Sequence, residues 1–340
     1  MTIPIRIIGL AAVVFAAAAP ALAQAPPGRD WTFNLIEEND SFIHGDKHYT
    51  QGLYASLFAA QRAGDDRWFG RMRALADTIM LPAEGGRLYF GGFIGQSIFT
   101  PEDKTLVPPD PTDRPYAGWL YGGASLYRET ETTLDRATLT LGLVGPGAGA
   151  RKVQNGWHEL TNPFIGAPQV LGWPFQLENE PGILISEGRK WRFATTLGPF
   201  EADVLPEANI SLGNVLTYAG AGAAFRFGQH LRADWGQVRI QPGLSGSDFV
   251  NRGALRDGPA WYVFAGGEAR AVARNIFLDG NTFKSSPSVD KNPLVGDFTA
   301  GAALVAHAVR LGVSYTYRTE EFEGQKGADN FLAINLSVQF

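Results

Sequence analysis

The last ten residues, Phe331–Phe340, constrain this chain most. Leu332, Ile334, Leu336, Val338 and Phe340 fall on one face of an extended strand, and Ala333, Asn335, Ser337 and Gln339 fall on the other. A strict period of two over about ten residues is the length and pattern of a strand that crosses a bilayer within a closed barrel. The competing reading is the last strand of a soluble sandwich. A helix is excluded, because its apolar positions recur every third or fourth residue.

Other features point the same way. The first residues read as a secretory signal: Arg6, an apolar run from Ile7 to Ala19, and a small-x-small site at Ala21-Leu22-Ala23. This divides the chain into a signal peptide, 1–23, and a barrel domain, 24–340. A terminal Phe on such a strand resembles the recognition signal of outer-membrane proteins. There are no cysteines, which removes disulfides, thiolate metal sites and cysteine nucleophiles. A net charge of −5 argues against a nucleic-acid partner. No apolar stretch is long enough for a membrane helix, and 12% of the residues are aromatic. The expected fold is all-β: a transmembrane antiparallel β-barrel of about twelve strands.

Twelve strand-like segments follow the signal, at 31–38, 50–59, 87–99, 115–128, 135–144, 182–196, 202–212, 215–227, 260–273, 297–308, 310–320 and 329–340. An even count places both termini in the periplasm. Parity then makes the connections 39–49, 100–114 and 145–181 extracellular, so the longest polar loops of the amino-terminal half share one end. Arg67–Met80 has helical spacing and reads as a short helix at the periplasmic rim. Parity also sends Gly228–Gly258 to the periplasm despite its length, which suggests a strand missed or added there.

Glu37–Gly52, EENDSFIHGDKHYTQG, is the richest run of potential ligands; its bland reading is a solvated hairpin loop. With Trp31, Phe33 and Leu35 turned to lipid, strict alternation points Glu38, Asp40 and Thr50 inward. A carboxylate near amide and hydroxyl oxygens suits a hard cation such as Ca²⁺, although loop carbonyls and water must complete the shell. His158, among Gln154, Asn155, Trp157 and Glu159, is a candidate general base near neutral pH. His44 and His48 read as solvated loop, and His230 and His307 as structural. Lys104 and Arg114 either hold anionic lipid phosphates or serve as interface anchors. There is no G-x-S-x-G and no H-E-x-x-H, so a nucleophile elbow and a zincin helix are unsupported.

Taken in order, several blocks resemble the outer-membrane lipid A 3′-O-deacylases. They are E-N-D-S-F at Glu38–Phe42 with Y-T-x-G at Tyr49–Gly52, G-Q-S-I-F-T-P at Gly95–Pro101, and D-R-P-Y-A-G at Asp113–Gly118. G-P-G-A-G-A-R-K-V-Q-N-G-W-H at Gly145–His158, G-W-P-F-Q-L-E-N-E-P at Gly172–Pro181 and A-R-N-I-F-L-D-G-N at Ala273–Asn281 complete the set. The resemblance implies a twelve-stranded barrel, acting as a monomer on lipid A in the outer leaflet, with a calcium-dependent active site in its wall. Position by position, it implies that Asn39 and Asp40 match the family's catalytic pair, with Asp40 a calcium ligand, Thr50 its threonine and His158 its catalytic histidine. It also matches Gln154 to a glutamine near the site and Lys104 to a loop lysine. The family's glutamate after the histidine has no counterpart in Pro163–Leu171, leaving Glu159, Glu178 and Glu180 as replacements. The rival readings are a non-catalytic barrel, either pore or structural, and a phospholipase-like esterase.

Overall fold

The computed structural model describes residues 31–40, 47–62, 67–156, 170–240, 242–243, 246–251, 255 and 258–340. The signal-like segment, His44, Asp46, His158 and Glu159 lie outside the described residues.

Among these residues are thirteen strands: β1 (Trp31–Asn39), β2 (His48–Ala60), β3 (Arg87–Thr100), β4 (Ala117–Glu129), β5 (Thr133–Val144), β6 (Glu180–Trp191), β7 (Phe193–Leu197), β8 (Phe200–Gly213), β9 (Leu216–Gln229), β10 (Ala260–Asn275), β11 (Leu294–Ala306), β12 (Val309–Arg318) and β13 (Asp329–Gln339). Neighbours pair antiparallel, β1 pairs with β13, and β6 with β8, so the sheet closes on itself. Both β6 and β7 pair with β8, and only Arg192 separates them. They are two halves of one stave, so the barrel has the twelve staves expected. Closure matters because an open edge of unpaired amides cannot exist in hydrocarbon.

The alternation is the one read from sequence. Thr32, Asn34, Ile36 and Glu38 of β1 are buried in the lumen, while Leu53, Leu57, Ile94, Leu139, Leu141, Ile183 and Ile185 stand exposed on the outer wall. No described helix is long and apolar enough to cross a membrane, so the strands are what span it.

Turns at 130–132, 198–199 and 307–308 are short and lie at the end carrying both termini. The opposite end carries the long connections 101–116, 145–179, 276–293 and 319–328. Short turns are periplasmic and long loops extracellular in bacterial barrels, which fixes the orientation. Two long periplasmic connections depart from that rule. One contains helix α1 (Trp68–Ile79), which lies on the outer wall with Phe69, Ala76 and Met80 packed on Leu88 and Leu126.

The other joins β9 to β10, and it corrects the expectation of a missed strand. Parity holds, and the segment turns back into the lumen, where Trp235, Val238, Ile240, Phe249 and Val250 are buried. Asp248 accepts from Tyr127 Oη at 2.5 Å, and Asn34 Nδ2 donates to the Asp248 carbonyl at 2.7 Å. Phe249 stacks on Tyr89 with centroids 3.5 Å apart. Glu38 accepts from Arg239 Nε at 3.3 Å and from the Ile240 amide at 3.1 Å. Asp234 faces Arg226 and Arg310, at 2.6 and 2.8 Å. Such desolvated charges are tolerated because each has an opposite charge and further hydrogen bonds.

Candidate active site on the outer wall

The candidate site forms where β1, β2 and β3 reach the extracellular rim. Between β2 and β3 the register slips: Tyr49 faces Phe99, but Gln51 faces Ile98, so Thr50 is the extra residue of a β-bulge. The bulge corrects the inward placement of Thr50 that strict alternation implies. Tyr49 takes the lumen side, its hydroxyl donating to Glu38 Oε2 at 3.0 Å. Thr50 instead meets Thr100, with hydroxyl oxygens 2.7 Å apart, and Thr100 shares its face with outward Gln96 and Ile98. On the same outer face Glu37 accepts from Gln51 Nε2 at 2.9 Å and from Asn39 Nδ2 at 3.5 Å.

Asn39 pairs with Gln51 in the β1–β2 register, so one further step sets Asp40 against Thr50. Both are buried, and Asp40 Oδ2 accepts from the Lys47 amide at 2.5 Å. Asn39, Thr50 and Thr100 thus sit together at the wall's upper edge, with buried Asp40 next to Asn39 in the chain.

The β5–β6 connection roofs the neighbouring wall. It opens with a short turn, Pro146–Ala148, then a helix, α2, whose described part covers residues 150–156. Gly118 of β4 lets this helix touch the barrel, since a Cβ there would lie 2.4 Å from the Ala150 Cβ. Ile98, Tyr116, Ala150 and Trp173 form a buried cluster beneath it. Gln96 Nε2 donates to the Ala148 carbonyl at 2.6 Å. Gln154 accepts from Trp173 Nε1 at 2.9 Å, which fixes its amide against the roof. The buried Lys104 is anchored through its carbonyl, which accepts from Tyr116 Oη at 3.3 Å and the Leu171 amide at 3.0 Å. His158 falls two residues after Gly156, the last described residue of α2.

Arg114 is placed elsewhere. Its guanidinium lies on the lumen side, over the Phe99 ring at 5.1 Å and on Glu321 Oε2 at 3.1 Å. Burial pushes the Glu321 carboxyl up, but Arg114 and Arg318 outweigh it and hold it below the usual range. The two described candidates for the family glutamate also have other employment. Glu180 accepts from Asn214, Asn281 and the Thr282 amide at 2.9, 3.1 and 2.8 Å, and Glu178 is exposed beside Lys284.

Two residues escaped the sequence reading. Thr100 completes the hydroxyl pair, and only the register reveals it. His48 is not solvated: it is 1% exposed, with Nδ1 2.6 Å from Asp329 and Nε2 3.3 Å from Asp113. With an acceptor at each ring nitrogen, both must donate, which only the imidazolium can do. It ties together β2, the β3–β4 connection and β13. Burial raises the Asp113 carboxyl, but bonds from His48 and from the Glu102 and Arg114 amides outweigh it and hold it below the usual range. No local pattern links positions 48, 113 and 329.

Closed staves, a filled lumen and a polar patch on the lipid-facing wall define an integral outer-membrane β-barrel built to work on membrane-embedded molecules. The chain belongs to the outer membrane protein LpxR family, whose model matches residues 10–340, and this is the lipid A 3′-O-deacylase family that the sequence blocks resemble. Among solved structures, LpxR from Salmonella typhimurium superposes with a TM-score of 0.70 at 22% identity, covering 91% of this chain and 100% of that one. The beta domain of the Bordetella autotransporter BrkA reaches 0.42 at 12% identity, covering 93% and 99%. No curated protein sequence matches the chain.

Proposed function

We propose that this chain is a calcium-dependent carboxylic ester hydrolase that removes the 3′-linked acyloxyacyl group of lipid A. The observation that carries the proposal is the site's position: Asn39, Thr50 and Thr100 lie on the outer wall beside a helical roof, with Asp40 buried next to Asn39. A lipid whose chains stay in the outer leaflet reaches that wall without leaving the membrane. The lumen offers no such access, and the buried β9–β10 segment that fills it stands against the pore reading.

His158, two residues past the last described residue of α2, takes a proton from water as general base. The water oxygen attacks the ester carbonyl, and the tetrahedral species collapses with cleavage of the bond to the sugar oxygen. The acyl chain leaves as a carboxylic acid, and the imidazolium gives its proton to the departing 3′-oxygen, which becomes a hydroxyl. Asn39 donates an amide N–H toward the developing oxyanion. Gln154, held by Trp173, and Lys104 border the sugar and its phosphate.

Ca²⁺ fits the donor set, because Asp40, Thr50, Thr100 and Asn39 offer only hard oxygen ligands. Among the described residues no group of three or more His, Asp or Glu side chains is placed to hold a metal ion, so main-chain carbonyls and water would make up the rest of its six to eight ligands. When bound, the ion polarises the ester carbonyl and stabilises negative charge on its oxygen. Asp40 is the one anionic ligand, and Thr50 and Thr100 orient the neutral ones.

Mass spectrometry of lipid A from cells expressing the protein tests the reading. His158→Ala and Asp40→Ala are each expected to lower 3′-deacylation by roughly 10²–10⁴-fold, the usual contribution of a positioned base. EDTA is expected to do the same to the wild type. The barrel's heat-modifiable migration on gels should persist in both variants. Full activity in either variant overturns the assignment, and loss of phospholipid chains with lipid A intact favours a phospholipase-like esterase.

A further inference from the structure

At the opposite, periplasmic end of the same wall, α1 and the barrel enclose a second feature. Its residues sort into three stripes. Phe69, Ala76 and Met80 pack on the wall. Trp68, Leu75 and Ile79, at helical spacing, stay 48%, 42% and 47% exposed. Arg67 and Arg71 form an exposed cationic stripe with no ion-pair partner among the described residues. The other charges of α1 are engaged: Arg73 donates to the Gly85 and Gly86 carbonyls, and Asp77 pairs with Arg128 at 3.1 Å.

Between the start of α1 and strands β1–β3 runs an apolar groove of about 730 Å³, lined by Trp31, Phe33, Leu57, Trp68, Phe90 and Ile94. That is within the range of small-ligand sites, roughly 300–1,000 Å³. Its floor is low because Gly92 carries no side chain; a Cβ there would meet nothing closer than the Gly123 carbonyl oxygen at 3.5 Å. Trp31, Phe33, Leu57, Phe90 and Ile94 project from the outer wall, so the groove opens toward the bilayer.

We infer that this groove holds one acyl chain of an anionic phospholipid from the periplasmic leaflet, with its phosphate on Arg67 and Arg71. The charge is complementary, and the geometry follows the chemistry of an interfacial helix. Exposed Trp, Leu and Ile enter the acyl boundary while arginines stay at headgroup level. Arg67 precedes the groove-lining Trp68, and Arg71 sits one turn on, so both cations are carried on the helical turn that borders the groove. A neutral or cationic headgroup gains nothing from that pair, which is why the occupant is anionic. The site is independent of the deacylation assigned above and belongs to the other leaflet.

Native mass spectrometry of the purified, full-length barrel tests this, with phosphatidylglycerol and phosphatidylcholine supplied in equal amounts. The wild type should retain phosphatidylglycerol about thirtyfold over phosphatidylcholine, as two arginines at about 1 kcal/mol each near a lipid surface imply. Arg67→Gln with Arg71→Gln should bring the ratio close to one while both lipids still bind. Gly92→Phe, which has room to be accommodated, should remove both lipids and leave the barrel folded. Equal retention by the wild type, no retention at all, or a preference that survives the arginine exchange overturns the proposal. So does full retention in Gly92→Phe. A stronger preference for lipid A than for phosphatidylglycerol, lost in Gly92→Phe, overturns the assignment to the periplasmic leaflet.

Discussion

Asp234→Ala should be a costly single change in the lumen. The carboxylate is 1% exposed, accepts from Arg226 Nη1 at 2.6 Å, Tyr262 Oη at 2.9 Å and the Gly236 amide at 3.0 Å, and forms an ion pair with Arg310 Nε at 2.8 Å. Two arginines lose a partner, but unequally. Arg226 keeps Asp203, whose oxygens lie 2.9 and 2.5 Å away, so its charge stays compensated. Arg310 keeps only neutral partners, Tyr262 Oη at 2.9 Å and Asn335 Oδ1 at 3.3 Å besides the Gly236 carbonyl. One uncompensated buried charge costs about 3–5 kcal/mol, so the sum is near that range and not twice it. Lys291→Ala is the control. Its pair with Asp279, at 2.9 Å, is partly exposed, and it should cost under about 1 kcal/mol. Urea titration of the barrel refolded in lipid vesicles, followed by tryptophan fluorescence, compares the two, with Trp235 next to the change. Adding Arg310→Met to Asp234→Ala should restore part of the loss, because it removes the stranded charge. If Asp234→Ala costs no more than Lys291→Ala, the lumenal segment is not held by these ion pairs and the reasoning fails.

Three further outcomes follow from the wall and the rim. Gly118→Leu drives a side chain into Ala150, 2.4 Å from the would-be Cβ, and should displace α2. Lipid A turnover should fall about a hundredfold, as for an ångström of misplacement, while urea stability changes little. Thr100→Val strands the Thr50 hydroxyl in the bulge and should cost about 1–3 kcal/mol by urea titration, with Thr100→Ser restoring most of it. The depressed Asp113 carboxyl contributes stability that is present above its unfolded pKa of 3.8 and lost as pH falls through the lower folded value. Thermal melts taken downward from pH 5 should show this loss in the wild type, and Asp113→Asn should flatten it.

The staves were legible because alternation is local: each strand declares its two faces within about ten residues. Arg192 was not, since a single residue interrupting a stave keeps the surrounding apolar pattern intact. The β9–β10 connection was misjudged because parity reports the end from which a segment departs, not the side of the wall it then follows. At the site, the resemblance supplied Asn39, Asp40, Thr50 and Gln154, and the structure seats all four at or over the wall. Their face was another matter. A bulge adds one residue to one strand, and alternation counted through it inverts every side chain beyond. His48 and Thr100 were invisible for a different reason, as their partners lie between 50 and 281 residues away.

The lumenal segment also bears on how such a barrel is put together. Its partners come from strands spread around the whole circumference: Glu38 on β1, Tyr127 on β4, Asp203 beside Arg226 on β8 and β9, and Arg310 on β12. An open sheet cannot supply them all at once. Until β13 reaches β1, Arg239 lacks the Glu38 carboxylate that helps neutralise it. Closing the seam and settling the segment are therefore one cooperative event, and a half-assembled sheet carries an electrostatic penalty that favours completion. The same charges that seal the finished lumen act, during insertion, as a check that the circle is whole.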